Sequence, residues 1–228
     1  MIVDGFKIDR CRGLESRIMD GSSDITVIKA PVTEVSKAVT QLYSEAQVHA
    51  NAFERVIQAN NRGIILFQFK GFEWTIVYGY RRVSFPTEVE LSKLSGVLRT
   101  RAMFLSITDT AFYVYHHVCD NGKSVEHFLF DDEVIKLESQ IRKVDNALVA
   151  HDALNDFYKE QGVYFPYIKI TSEPTGQDNA SAFRFKAKGE FDWCLEQQFK
   201  DISSEDCLKS YPLERNDFEG FDYITFEE

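Results

Sequence analysis

No two cysteines in this chain are spaced closely enough to suggest a metal knuckle or a redox pair. Cys11, Cys119, Cys194 and Cys207 are scattered, with no C-x-x-C among them, and a chain of 228 residues can build a core without disulfides. Basic residues are also scarce: 26 Lys and Arg stand against 36 Asp and Glu, for a formal net charge of −10. A duplex binder neutralises phosphates with Lys and Arg, so this balance argues against a nucleic-acid surface. No run of about 18 apolar residues occurs, so no segment reads as a membrane span. The opening MIVDGFKIDRCRG has no apolar stretch of the kind a secretory signal carries. The expected setting is cytoplasmic, with free thiols. The chain also has no G-x-G-x-x-G, P-loop, G-x-S-x-G or H-E-x-x-H, which leaves the commonest nucleotide, hydrolase and zincin chemistries unsupported. No cofactor is expected.

Aromatics, in contrast, are abundant: 19 Phe and 10 Tyr in a chain that is 44% hydrophobic. Their spacing predicts the elements. ITVIKA (Ile25–Ala30) reads as a strand, and Pro31 opens a helical pattern. Val35, Val39 and Leu42, then Phe53, Val56 and Ile57, predict helix from Thr33 to Gln58 with a break near Ser44. RGIILFQFKGFEWTIVYGY predicts a hairpin turning at Gly71-Phe72, with Phe69 facing Trp74, Phe67 facing Ile76 and Ile65 facing Tyr78. Thr87 and Glu90 form a capping box before Leu91, Leu94 and Leu98, and AMFLSIT (Ala102–Thr108) returns as a strand. A helical region is expected from Asp132 to Gln161, closed by Gly162. VYFPYIKI follows as an edge or bulged strand because of Pro166.

SAFRFKAKGEFDWCLEQQF alternates apolar and polar residues. Either a hairpin centred on Gly189 or one long strand kinked there fits the pattern. From Asp201 to Glu228, nine acidic residues face two basic ones, Lys209 and Arg215, yet YITF (Tyr223–Phe226) reads as a short strand or docked end. The fold class expected is α+β: a mainly antiparallel sheet built from hairpins with packed helices, its first half in ferredoxin-like strand–helix order over 25–108. The organisation reads as a polar extension over 1–24, with a strand at Ile2–Ile8, and an α+β domain over 25–170. An aromatic hairpin with an acidic segment over 171–228 packs on the same domain. TSEPTGQDNAS (171–181) is where a linker would fall.

YVYHHVCDNGKSVEHFLF, residues 113–130, holds three of the five histidines. Asn121-Gly122 predicts a two-residue type I′ turn, so paired positions sum to 243. Val118 then faces Val125, His117 faces Glu126, His116 faces His127, Tyr115 faces Phe128 and Tyr113 faces Phe130. His116 and His127 are the metal candidates, but two imidazoles fall short of the four ligands of a structural zinc site. His117, Cys119 and Glu126 outline a Cys-His-acid arrangement without an oxyanion donor. Tyr113, Tyr115, His117 and Glu126 are the candidate binding residues. RRVS (Arg81–Ser84) has basophilic kinase-site spacing, a pattern common by chance. RFKAK (184–188) interleaves aromatics and bases, as an amphipathic strand also does.

With no catalytic constellation and an acidic end, the sequence points to a soluble, non-enzymatic interaction or regulatory protein. One concrete form is immunity-type binding or inhibition of a basic protein. The alternative is a small-molecule enzyme or metal-binding protein using the 113–130 hairpin. Aromatics on one hairpin face and aliphatics on the other call for cover on both, and the chain is long enough to supply it, so a monomer or weak dimer is expected.

Overall fold

Continuous apolar runs such as IILF (Ile64–Phe67) exceed what a sheet with one wet face needs, and they lie in a sheet covered on both sides. The computed structural model describes residues 13–14, 23–59, 62–80, 85–108, 113–131, 134–136, 154, 157–165, 167–175, 182–192 and 208–226. In chain order the first elements are β1 (Gly13–Leu14), β2 (Ser23–Ile28), α1 (Val32–Leu42), β3 (Ala46–His49), β4 (Val56–Gln58), β5 (Gly63–Phe69) and β6 (Thr75–Tyr80). Next come α2 (Glu88–Leu98), β7 (Arg101–Thr108), β8 (Tyr113–Asp120), β9 (Lys123–Asp131) and β10 (Val134–Lys136). The last are β11 (Tyr164–Phe165), β12 (Tyr167–Pro174), β13 (Ala182–Asp192), β14 (Leu208–Pro212) and β15 (Phe218–Phe226).

Among the described residues, nine strands form one sheet in the order β10-β9-β8-β7-β2-β6-β5-β15-β3, with antiparallel neighbours. β12, β13 and β14 form a second sheet, which β4 joins through β13. The architecture is α+β: mostly antiparallel sheet with a few helices. None of the described helices is long and apolar enough to cross a membrane.

The two-residue period of a strand divides the core. Ile65, Phe67, Phe221 and Tyr223 face Phe53, Ile57, Phe183, Phe185 and Ala187 of the second sheet and its neighbours. Ile64, Leu66 and Ile224 face Val35 and Val39 of α1, and the same cluster takes in Leu91 and Leu94 of α2. Buried polar groups fix the helices on this second face. Pro31, the residue before α1, offers no side-chain cap. Gln68 of β5 stands in: its Oε1 accepts from Val32 N–H at 3.1 Å, and its Nε2 donates to Phe72 O at 2.6 Å. Ser36 Oγ donates to the buried Asp222 at 2.6 Å. At α2 the Thr87–Glu90 capping box forms as its sequence pattern predicts. Ser92 and Ser95 then grip the β8–β9 turn. Ser92 Oγ donates to Gly122 O at 2.7 Å, and Gly122 N–H donates to Ser95 Oγ at 3.1 Å.

Several sequence expectations need correction. Helix does not run from 33 to 58. It ends at Leu42, and β3 pairs with the C-terminal strand, Val48 opposite Ile224. Val56 is exposed while Ile57 is buried, which is strand alternation; Phe53, Val56 and Ile57 satisfied a helical period by coincidence over a short window. The turn after β5 centres on Lys70-Gly71, with Phe72 N–H donating to Phe69 O at 3.0 Å and Gly71 at φ +73°. Ile65 and Phe67 do face Tyr78 and Ile76, although Tyr78 is largely exposed.

β13 is one continuous strand between β12 and β14, so no hairpin turns at Gly189, which pairs with Ile168 on one side and Tyr211 on the other. Residues 171–174 belong to β12, and Thr175 N–H donates to Ala182 O at 3.2 Å; the rest of the expected linker, 176–181, lies outside the described residues. Within the expected helical region, 134–136 is strand and 157–160 is helical. That helix ends in a Schellman pattern: Gly162 N–H donates to Lys159 O, and Val163 N–H to Tyr158 O, both at 3.0 Å. The strand expected at Ile2–Ile8, RRVS at 81–84 and Pro166 lie outside the described residues. The acidic end is not a loose tail over 208–226, because β15 runs between β5 and β3 in the main sheet.

Candidate functional site

Asn121 and Gly122 take φ +51° and +81°, the left-handed pair that a two-residue hairpin turn requires. Asp120 faces Lys123 and Cys119 faces Ser124, both in the expected register. A β-bulge then intervenes and leaves Val125 out of the ladder, 57% exposed. Beyond it Val118 faces Glu126, His117 faces His127, His116 faces Phe128 and Tyr115 faces Leu129. A one-residue slip exchanges the faces of β9. His116 and His127 are therefore on opposite faces and form no pair, and Glu126 does not stand opposite His117. Tyr113 pairs with Thr108 in the ladder; its side chain lies outside the described residues.

The ladder lines up two rows on the helix-covered face. Asp24 of β2 pairs with Ser106 of β7, which pairs with Tyr115 of β8. Beside this row, Phe104 pairs with His117, which pairs with His127. The first turn of α2 brings Glu88 over these rows. A cavity of about 330 Å³ remains between them, walled by Asp24, Glu88, Phe104, Ser106, Tyr115 and His117, with the buried Leu91 beneath. The Tyr115 hydroxyl donates to Glu88 Oε1. Two of the four candidate binding residues, Tyr115 and His117, thus meet in one cavity. Asp24, Glu88, Phe104 and Ser106 were missed. The capping box marked where α2 begins, but the strand residues it overhangs depend on tertiary packing.

His117 is 5% exposed. Its Nε2 lies 2.9 Å from Ser124 Oγ and 3.6 Å from Cys119 Sγ, while Nδ1 is buried with no hydrogen-bond partner among the described residues. Burial lowers the pKa of His117; the Glu88 carboxylate opposes this and His127 adds to it. Burial, aided by Glu88, pushes the Cys119 thiol up to about 11. At neutral pH the thiol keeps its proton and is a poor nucleophile. Glu126 is on the far face, so the Cys-His-acid outline is not assembled. Among the described residues, no group of three or more His, Cys, Asp or Glu is placed to hold a metal ion. The site offers carboxylates and ring faces.

On the opposite face His116 is fully buried. Its Nδ1 lies 3.0 Å from the Tyr158 hydroxyl and its Nε2 3.8 Å from Glu126 Oε1. Burial, with His117 and His127 adding, pushes His116 down to about 3. Burial lifts Glu126 to about 7, against the pull of Arg101. Below its ordinary value of 4.5, Glu126 is protonated in both the folded and unfolded chain. Between 4.5 and 7 only the unfolded chain ionises, so Glu126 costs stability as pH rises, in full above 7. Glu126→Gln should therefore match wild type near pH 4 and exceed it by roughly 2 kcal/mol near pH 8. Urea unfolding at the two pH values checks this. An equal difference at both would mean that the fold does not raise the pKa of Glu126.

Comparison with protein-family models, curated proteins and solved structures found no match to this chain.

Proposed function

We propose that this chain is a non-enzymatic interaction or regulatory protein of the cytoplasm that binds a basic protein partner. One observation carries the reading: Asp24 and Glu88 line one cavity together with Phe104 and Tyr115. Carboxylates beside aromatic faces attract a cation and repel an anion. The net charge of −10 would steer a basic partner towards the surface before contact. The protonated Cys119 thiol supports binding over nucleophilic chemistry. In this reading the cavity sits on a ferredoxin-like unit, supported by the antiparallel order β7-β2-β6-β5. Residues 171–228 belong to the same domain as 25–170, supported by a core cluster that joins Val27 and Met103 to Phe185 and Tyr223.

Affinity capture from cell extract tests the reading. Retained proteins should be more basic than the extract average and should elute as salt rises from about 50 to about 500 mM, where screening is strong. An Asp24→Asn/Glu88→Gln double variant should retain less of the same proteins. Retention indifferent to salt, or unchanged in the double variant, would sink the proposal.

A further inference from the structure

Asn121-Gly122 is the only Asn-Gly step in the chain. At such a step the asparagine side chain is open to attack by the next backbone nitrogen, because glycine has no Cβ to shield that nitrogen. Hydroxide removes the Gly122 amide proton, and the nitrogen attacks Asn121 Cγ. The new N–Cγ bond closes a succinimide ring. The Cγ–Nδ2 bond breaks, and Nδ2 leaves as ammonia with a proton from water, which restores hydroxide. Water then opens the ring. Cleavage of the new N–Cγ bond leaves aspartate, and cleavage of the main-chain N–C bond leaves an isoaspartyl link. The net reaction consumes one water and releases one ammonia.

The fold holds the reacting atoms apart. Asn121 has φ +51°. In a left-handed turn residue of this kind the next nitrogen points away from Cβ, so the ring closes only after the Asn121–Gly122 peptide rotates. Hydrogen bonds from α2 and the residues after it oppose that rotation. Gly122 N–H donates to Ser95 Oγ at 3.1 Å, Ser92 Oγ donates to Gly122 O at 2.7 Å, and Asn121 N–H donates to Thr100 O at 3.3 Å. Ser95 is fully buried and donates its own proton to Thr100 O at 2.6 Å, which leaves its oxygen to accept from Gly122. The electrophile is tied elsewhere: Asn121 Nδ2 donates to Asp120 Oδ1 at 2.7 Å. There is little room to turn, since a Cβ on Gly122 would fall 3.0 Å from Gly96 Cα. We infer that Asn121 is a deamidation site gated by α2, in which succinimide forms only in molecules whose turn has come off Ser92 and Ser95. The observed rate is then the rate of the free turn scaled by the fraction of time the turn is open. Because α2 also carries Glu88 over the cavity, the reaction reports how firmly that helix is docked.

The test incubates the full chain in mildly alkaline buffer, native or in guanidinium chloride, and follows aspartate and isoaspartate at position 121 by peptide mapping. In denaturant Asn121 should react faster than the other asparagines, none of which precedes glycine. In the native chain it should lag its own denatured rate by roughly a hundredfold or more, the population effect of a few hydrogen bonds opening together. Ser95→Ala should speed the native reaction by roughly tenfold, the effect of losing one of them. Ser92→Ala should act in the same direction. Gly71→Ala, in an exposed turn elsewhere, should leave the rate unchanged. Equal rates in native and denatured chains, no product at position 121 in the denatured chain, or a native rate unmoved by both serine variants would each overturn the inference. So would an equal acceleration by Gly71→Ala, which would place the reaction in globally unfolded molecules. If Ser95→Ala does not fold, Ser92→Ala decides: a native rate equal to that of wild type overturns the gate.

Discussion

Phe185→Ala should lower the unfolding free energy by about 3–5 kcal/mol, the range for truncating a buried phenylalanine. Phe185 is fully buried between the two sheets. Its ring centroid lies 4.9 Å from that of Tyr223, 5.0 Å from Phe183, 5.4 Å from Tyr80 and 5.9 Å from Phe221. Three of these rings come from the main sheet: Tyr80 lies on β6, and Phe221 and Tyr223 lie on β15. Removing Phe185 therefore removes contact area and aromatic edge contacts on both sides of the sandwich, and opens a cavity that a paired strand cannot collapse to fill. Urea denaturation against wild type measures the loss. Val56→Ala, on the neighbouring β4 but 51% exposed, is the control and should change stability by less than about 0.5 kcal/mol. A loss under about 1 kcal/mol for Phe185→Ala would mean that the sheets are not packed through this ring.

Gly63→Ala should cost about 3 kcal/mol or more, the upper end for overpacking a close-packed site. Gly63 opens β5, where that strand runs beside β15. A Cβ added there would fall 2.1 Å from the Ile224 carbonyl oxygen and 2.8 Å from the Tyr223 ring. The first obstacle is backbone in a paired strand, so relief requires the ladder itself to move. Gly71 makes the opposite comparison. It occupies φ +73° in an exposed turn, and nothing lies within 4 Å of an added Cβ. There the cost is left-handed backbone strain alone, about 1 kcal/mol. Thermal or urea unfolding of both variants ranks them, and a milder Gly63→Ala than Gly71→Ala would overturn the close approach of β5 and β15.

What was legible in the sequence was local. The α2 start was readable because Thr87 and Glu90 interact within one turn, and the stop at Gly162 because only a few residues decide a helix end. The turn at Asn121-Gly122 was readable because both residues tolerate positive φ. The register beyond it was not. Val125 carries no mark of a bulge, since an extra residue in a ladder depends on what both strands pack against. That single residue decided the site, because it moved His127 beside His117 and Glu126 beside His116. The same limit hid Glu88, which lies about thirty residues before the hairpin, and Tyr158, about thirty after it. Alternation in RFKAK identified a strand correctly, but whether Gly189 turns or continues depends on the neighbours β12 and β14. Helix 33–58 failed for the matching reason: β3 exists because a strand from the far end of the chain pairs with it.

That long-range pairing has a kinetic side. Roughly 150 residues separate β5 from β15, the strand that pairs along one of its edges. A ribosome adding 5–20 residues per second needs roughly 8 to 30 s to cover that distance. Through that interval the nascent chain holds IILF with β6 on one side and no strand on the other, a hydrophobic edge open to any strand nearby. The main sheet closes only when β15 has left the exit tunnel. For those seconds, crowding, temperature and the supply of chaperones decide whether the edge waits for its own β15 or pairs with another nascent copy.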